Sequence, residues 1–464
     1  MGGSRGPQGR IEHEDCGIPL QRTFSVLRGE LRQSHMSKQE IGKKNWLVIV
    51  LLGLAGQIAW NVENSWFNTF VFDTITPDPK PIAWMVAVSA ITATLTTLVM
   101  GTISDRVGRR KPFILYAYIL WGISTALFPA TASIRNVRFA ILAVIAADAV
   151  MTFFGSTAYD AAYNAWTTDI SNKSNRGRLS ALISTFPLLA ALIGAGLSGV
   201  VIDSLGYVTF FIALGILVSV LGIVGGLLLE DSKTLRRTPK DERKNLIIDM
   251  FDGFSLHTIK TNQELFLVFS SVSLFSIGFQ VFLPYQIIYL NNYLNISKSL
   301  VGLISAIAVL ISILTAVPAG KLADRGYINQ FAFLSPFLLC VGLMLFSLSR
   351  SVFTLTITGS LLYISLVVYT LSTGAWIKNL LPEGSRGKFE GIRMVFNVAI
   401  PMLIGPAIGS LLVTNFGVPT VLHGETGFIP TPILFPVAGL ISVTSILPLL
   451  IVKKKRSARD ASDD

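Results

Sequence analysis

The stretch G-T-I-S-D-R at Gly101–Arg106 recurs as G-K-L-A-D-R at Gly320–Arg325. A second stretch, A-W-T-T-D-I-S-N-K-S-N-R-G-R at Ala165–Arg178, recurs as A-W-I-K-N-L-L-P-E-G-S-R-G-K at Ala375–Lys388. The copies keep their order, lie roughly 210 to 220 residues apart and sit between long apolar segments, which marks a chain built from two homologous halves. Everything between the repeats must fit that duplication.

The composition fits a bilayer. The chain has 464 residues, of which 51% are hydrophobic and only 14% charged; a soluble protein carries about 25% charged residues. With roughly 20 apolar residues per crossing, the sequence predicts twelve spans. They fall at about 45–72, 82–103, 112–131, 138–167, 178–203, 207–229, 264–290, 299–322, 330–348, 352–378, 389–414 and 431–452. The expected fold is an all-α polytopic membrane protein with two pseudo-symmetric six-helix bundles, 45–229 and 264–452. A polar tail (1–44), a linker (230–263) and a short tail (453–464) complete the division. A short amphipathic helix is expected near Leu246–Phe254 in the linker.

Twelve crossings place both tails on one side. Of the 38 Lys and Arg residues, only Lys80, Arg135, Arg138, Lys298 and Arg350 fall on the other side. By the positive-inside rule both termini are expected in the cytoplasm of a cell-membrane protein. The net charge of +11 is thereby a matter of topology, and no nucleic-acid partner is expected. The two cysteines, Cys16 and Cys340, cannot plausibly pair. The histidines (His13, His35, His257, His423) show no metal-ligand spacing, so no metal or other cofactor is expected. A nucleotide-binding G-x-x-x-x-G-K-[ST] loop is absent, and no intramembrane nucleophile–base pair suggests an enzyme.

The longer motif Gly101-x-x-x-Asp105-Arg106-x-Gly108-Arg109-Arg110 resembles the signature between spans 2 and 3 of the major facilitator superfamily. Gly320, Asp324 and Arg325 form its degenerate copy between spans 8 and 9. The resemblance implies a monomeric secondary transporter that moves a small molecule by alternating access. It also implies that Asp105 faces the start of span 11, near Gly387–Glu390, and Asp324 the start of span 5, near Arg176–Arg178. A carboxylate at a helix N-terminus is electrostatically favoured, so both aspartates are expected to latch one side shut, with Arg176 and Arg386 nearby. Gly101 and Gly320 are expected to allow close helix approach.

A narrower resemblance covers parts of the N-terminal half. Asp160–Ile170, with Arg176 and Leu179, is similar to span 4 of the glycoside–pentoside–hexuronide cation symporters. Ser104–Ile114 is similar to the sucrose-type sugar carriers. This resemblance implies a sugar or glycoside as substrate and Asp160 as a carboxylate that binds its hydroxyls. Ala93 and Thr97 stand where melibiose-type symporters have two sodium-binding aspartates, so a proton, or no ion, is the expected coupling.

In the superfamily, spans 1, 4, 7 and 10 line the cavity, and polar residues within them are costly in lipid. Span 1 carries Gln57, Asn61, Asn64 and Asn68 on one face, amides that suit polyhydroxy ligands or serve as interhelical glue. Glu63 lies on another face among Trp60, Trp66, Phe67 and Phe70, where keeping its charge is costly and proton exchange is favoured. Span 4 adds Asp148, Asp160 and Asn164, span 7 Gln280 and Tyr285, and span 10 Tyr369, Thr373 and Trp376. Candidate substrate contacts are Gln57, Asn61, Asn64, Asp160, Asn164, Gln280, Tyr285, Tyr369, Thr373 and Trp376. Candidate coupling groups are Glu63, Asp148 and Asp160. No acidic residue lies deep in spans 7 or 10, so coupling is expected in the N-terminal half. Two alternatives stay open: an efflux carrier for lipophilic compounds, and a transporter-like sensor that does not translocate.

Overall fold

The computed structural model describes residues 2–3, 41–172, 175–232, 255–322, 328–381 and 386–463. Its helices are α1 (Lys43–Thr74), α2 (Pro79–Val107), α3 (Lys111–Ser133) and α4 (Val137–Asp169), then α5 (176–205) and α6 (207–228). The second half holds α7 (Gln263–Tyr293), α8 (Lys298–Leu322), α9 (Ile328–Leu348), α10 (Val352–Leu380), α11 (386–416) and α12 (Leu434–Arg456). The segment Arg176–Leu228 runs as one 53-residue stretch broken only at Gly206, whose φ of 78° and ψ of 169° are not helical. At 1.5 Å per residue it is about 80 Å long, two crossings rather than one. Twelve crossings therefore return both ends of the chain to one face, called here the tail end; the opposite face is the far end.

Local sequence explains where the helices begin and stop. Asp78 caps α2 by accepting from the Lys80 amide at 3.0 Å, with Pro79 in the first turn. Asn136 caps α4 by accepting from the amides of Arg138 and Phe139. Ser351 and Thr354 form a reciprocal capping box on α10. Gly108 ends α2 in the left-handed region (φ 71°), a backbone state that a side chain disfavours. Four helices widen into single π turns: α1 at Glu63–Phe67, α4 at Ser156–Tyr163, α7 at Tyr289–Tyr293 and α11 at Val395–Ala399. Such turns concentrate at functional positions.

The expected all-α architecture has one exception. Between α11 and α12 the chain forms an antiparallel hairpin, β1 (Val418–Leu422) and β2 (Glu425–Ile429), with Leu422 paired to Glu425. His423 and Gly424 both adopt positive φ (54° and 82°) in its two-residue turn, as tight hairpins of the right-handed twist require.

The halves meet along matched helices. α5 packs on α8, α2 on α11, and α1 on α7. At the α5–α8 crossing, Gly199 lies so close to Lys298 that a Cβ would sit 2.0 Å from its carbonyl oxygen. Close approach is not seen at Gly101, where a Cβ would meet nothing within 4 Å; α11 instead nears α2 where Gly391 faces Leu98.

Candidate functional site

A cavity of about 260 Å³ lies between the halves, lined by α1, α5, α7, α8 and α10. Its walls are mainly apolar: Trp66, Pro187, Leu188, Ala191, Phe279, Leu283, Ile287, Val309, Leu366 and Val367. Polar groups come from Asn61, Asn64, Ser65, Gln286, Ser305, Ser312 and Tyr363. Among the described residues no charged side chain lines it. Asn64 donates to the Trp60 carbonyl (2.8 Å), Ser65 to Asn61 (2.6 Å) and Ser312 to Val309 (2.6 Å), so these three are partly satisfied within their own helices.

At the far end, contacts between the halves close off the cavity. Asp73, at the end of α1, accepts from Tyr207 (2.7 Å) and pairs with Lys298 at the start of α8 (3.0 Å). Lys298 also lies 5.5 Å from the centre of the Tyr207 ring. Asp203 accepts from both the amide and the hydroxyl of Ser299, each at 2.7 Å. The hairpin reaches over the α1–α2 turn: Phe428 donates its amide to the Pro77 carbonyl (3.1 Å), and His423 Nε2 lies 2.9 Å from the Asp73 carbonyl. Tyr285 donates to the carbonyls of Pro79 (3.2 Å) and Pro406 (3.1 Å), which ties α7 to α2 and α11.

A second polar centre lies inside the N-terminal half. Glu63 is 8% exposed and Asp148 2% exposed. Glu63 accepts from Ser89 (3.0 Å) and Thr152 (3.1 Å), whose hydroxyls lie 2.6 Å apart. Asp148 also faces Ser89. Glu63 Oε2 and Asp148 Oδ1 are buried without a hydrogen-bond donor, and among the described residues no cation pairs with either group. α1 positions Glu63 at the first residue of its π turn, while α2 and α4 supply the hydroxyls.

Of the residues singled out from sequence as substrate contacts, the cavity brings together Asn61 and Asn64. Gln57 faces Tyr159 inside the N-terminal half. Asp160 lies against Ser156, and Asn164 is exposed and donates to the Asp160 carbonyl at 3.3 Å. Gln280 packs on Gly405 of α11, and Tyr285 belongs to the far-end closure. Tyr369 is turned into the C-terminal half, where it meets the Ser271 hydroxyl at 2.7 Å and stacks on Phe275 at 3.9 Å. Thr373 donates back to the Tyr369 carbonyl. Trp376 donates to Glu264 (3.1 Å), which also pairs with Arg456. Helical register decides these placements: a one-position shift rotates a side chain by about 100°.

The gate motif forms a tight knot at the tail end. Arg110, 3% exposed, binds Asp105, Ser104 and Asp169, the last at 3.0 Å. The backbone amides of Arg110 and Lys111 donate to Asp231 at 2.8 and 3.0 Å. Asp105 thus has a partner within its own half, while Arg109 points to solvent. Arg106 takes part in a further interaction. Asp324 and Arg325 lie outside the described residues, as does the helix expected near Leu246–Phe254. The side chains of Arg176 and Arg386 and the surroundings of Gly320 lie outside them too.

Sequence reasoning did not single out Asp73, Ser89, Asp169, Asp203, Asp231 or Ser305. Asp73 and Asp203 each end a span beside a basic or hydroxyl-rich helix start, but pairing them needs the halves docked. Gln286 and Tyr363, polar residues of spans 7 and 10, were not among the candidate substrate contacts.

The profile described as Major Facilitator Superfamily matches residues 46–279 and 267–463. The uncharacterized MFS-type transporter YdeE of Escherichia coli (strain K12) is 27% identical over 144 residues, 31% of this chain; the match spans only 36% of that relative's length. Among solved structures, a variant of the nucleoside transporter NupG superposes with a TM-score of 0.67 at 12% identity, covering 87% of this chain and 99% of that one. A bacterial homologue of the iron transporter ferroportin in an inward-facing state gives 0.63 at 13% identity, covering 88% and 97%. A POT family transporter in complex with 5-aminolevulinic acid gives 0.65 at 13%, covering 88% and 96%. At such identities the structural likeness carries the fold alone. With the profile spanning both halves, the chain belongs to the major facilitator superfamily.

Proposed function

We propose that this chain is a secondary transporter, not an enzyme, that moves a small polar solute across the cell membrane by alternating access, with the tail end in the cytoplasm. One observation carries the reading: the cavity is walled by both halves and closed at the far end by contacts that cross between them. Rocking the halves apart at that end would break these polar contacts and open the cavity there. Superfamily membership and the skewed Lys/Arg distribution support the same topology. A sugar or glycoside stays the first substrate class to try, on the resemblance of Asp160–Ile170 and Ser104–Ile114.

Proton coupling fits the carboxyl pair in the N-terminal half. Burying two uncompensated carboxylates is costly, so Glu63 and Asp148 are suited to sharing an exchangeable proton across Ser89 and Thr152. Asp160 stands as a third candidate. Acidifying the side from which solute enters should then speed uptake.

The largely apolar cavity wall favours a second reading, a carrier that expels lipophilic compounds. Cysteines placed at Pro77 and at Ser305 test alternating access in membrane vesicles. Their labelling should rise and fall in opposition when a substrate is added; labelling that never changes at either position would leave a non-translocating sensor. Solute counterflow in proteoliposomes then separates import of sugars from export of lipophiles.

A further inference from the structure

Four polar groups of the central cavity make no side-chain hydrogen bond among the described residues. Gln286 of α7 is 7% exposed, lines the cavity and makes no side-chain hydrogen bond among the described residues. The Asn61 amide, the Ser305 hydroxyl and the Tyr363 hydroxyl, each on a half-buried residue, also line the cavity and make no side-chain hydrogen bond among the described residues. They come from four helices, α1, α7, α8 and α10, one in the N-terminal half and three in the C-terminal half. Gln286 is buried; buried polar groups are ordinarily satisfied, and leaving one unmade costs more than the bond is worth. Four such groups converging on one cavity describe a receptor whose bonds are completed by a solute.

The chemistry of the four is narrow. An amide both donates and accepts, and so does a hydroxyl; none carries charge. No described charged side chain lines the cavity, so a carboxylate or ammonium on the solute would be desolvated without compensation. Pro187, Leu188 and Ala191 of α5 and Phe279 of α7 supply apolar lining of the same cavity. A purely polar solute would leave that wall wetted, and a purely lipophilic one would leave the amides unpaired.

Resting on the transporter reading for its cavity, we infer that the site selects an uncharged amphipathic solute. An apolar body lies along α5, and a donor–acceptor edge is read by Gln286, Asn61, Ser305 and Tyr363. Gln286 is the specificity-determining residue, because it is the most buried of the four and no other side-chain hydrogen bond holds it among the described residues.

The test is thermal stabilisation of the purified full-length protein by matched probes: aryl glycosides, nucleosides and aryl amides, each beside its carboxylate and its amine analogue, with methyl glucoside as the body-less control. Uncharged members should raise Tm, whereas charged analogues and methyl glucoside should bind at least about tenfold more weakly. Gln286→Leu should weaken binding of the uncharged probes at least about tenfold, because their polar edge loses its partner, and leave the ligand-free Tm unchanged or higher, since it removes an unpartnered amide. Ala191→Trp, which fills the apolar side, should remove binding altogether. Equal stabilisation by a charged analogue, no stabilisation by any uncharged probe, or an unchanged response in Gln286→Leu overturns the inference. Binding in detergent needs no translocation, so a solute that binds as expected but is not moved in proteoliposomes would instead overturn the transport reading.

Discussion

The interiors of the two halves are built on the same plan and filled with different chemistry. In the N-terminal half, α1, α2 and α4 converge on Glu63, Ser89, Thr152 and Asp148, two carboxyl groups on either side of the Ser89 hydroxyl, with Thr152 on Glu63. In the C-terminal half, α7, α10 and α12 converge on Ser271, Tyr369 and the Ser445 carbonyl, a neutral network with Ser271–Tyr369 and Ser271–Ser445 at 2.7 Å each. A neutral network in lipid gains stability from every bond and has nothing to exchange. A carboxyl pair is costly to keep and worth keeping only where its protonation does something. Duplication gave the halves one scaffold, and among the described residues the buried carboxyl pair sits in only one of them.

The sharpest way to break that contrast is Glu63→Gln, alone and with Asp148→Asn. Uphill accumulation driven by a pH gradient in proteoliposomes should fall by about tenfold or more, a lower bound for losing a positioned proton carrier. Counterflow, which needs no gradient, should survive. If gradient-driven uptake persists in the double variant, the N-terminal carboxyls are structural after all. Ser89→Ala is expected to cost about 2 kcal/mol, because it strips a buried carboxyl group of a donor; Tm by scanning fluorimetry reads it.

Lys298→Met removes the cation that holds Asp73 across the far end. A loss of about 1–2 kcal/mol from a half-buried, hydrogen-bonded charge should shift the conformational equilibrium toward far-end opening. Faster maleimide labelling of a cysteine at Pro77 would report it, and an unchanged rate would mean the hairpin alone keeps that end shut. The smallest effect belongs to the neutral half. Ser271→Ala should cost about 1 kcal/mol and leave the pH dependence of uptake as it was. A changed pH profile would erase the distinction between the halves.

Much of the scaffold was legible in the chain. Apolar length marks each span because lipid offers the backbone no partner outside a helix, and Gly206 falls in the gap expected between spans 5 and 6. The hairpin was missed, although β-branched residues flank His423–Gly424, because the segment 415–430 between two expected spans reads as a connector. The carboxyl pair was half legible. Glu63 and Asp148 declare themselves as ionisable groups in apolar spans, but only packing puts Ser89 of α2 between them.

The site shows the boundary most clearly. Sequence alone determined that the chain crosses a membrane twelve times as two related halves, and that its buried acids sit in the first half; hydrophobic length and duplication are properties of the chain read in one dimension. Which amides face the cavity was decided by tertiary structure. Asn61 and Gln57 share a helix face by spacing, yet one reaches the cavity and the other turns to Tyr159. Gln286 lines the cavity, while Tyr285, one residue earlier, ties α7 to α2 and α11 at the far end. Successive helical residues point about 100° apart, so the neighbour each one meets depends on how the helices are rotated against each other, and that is settled only when the halves pack.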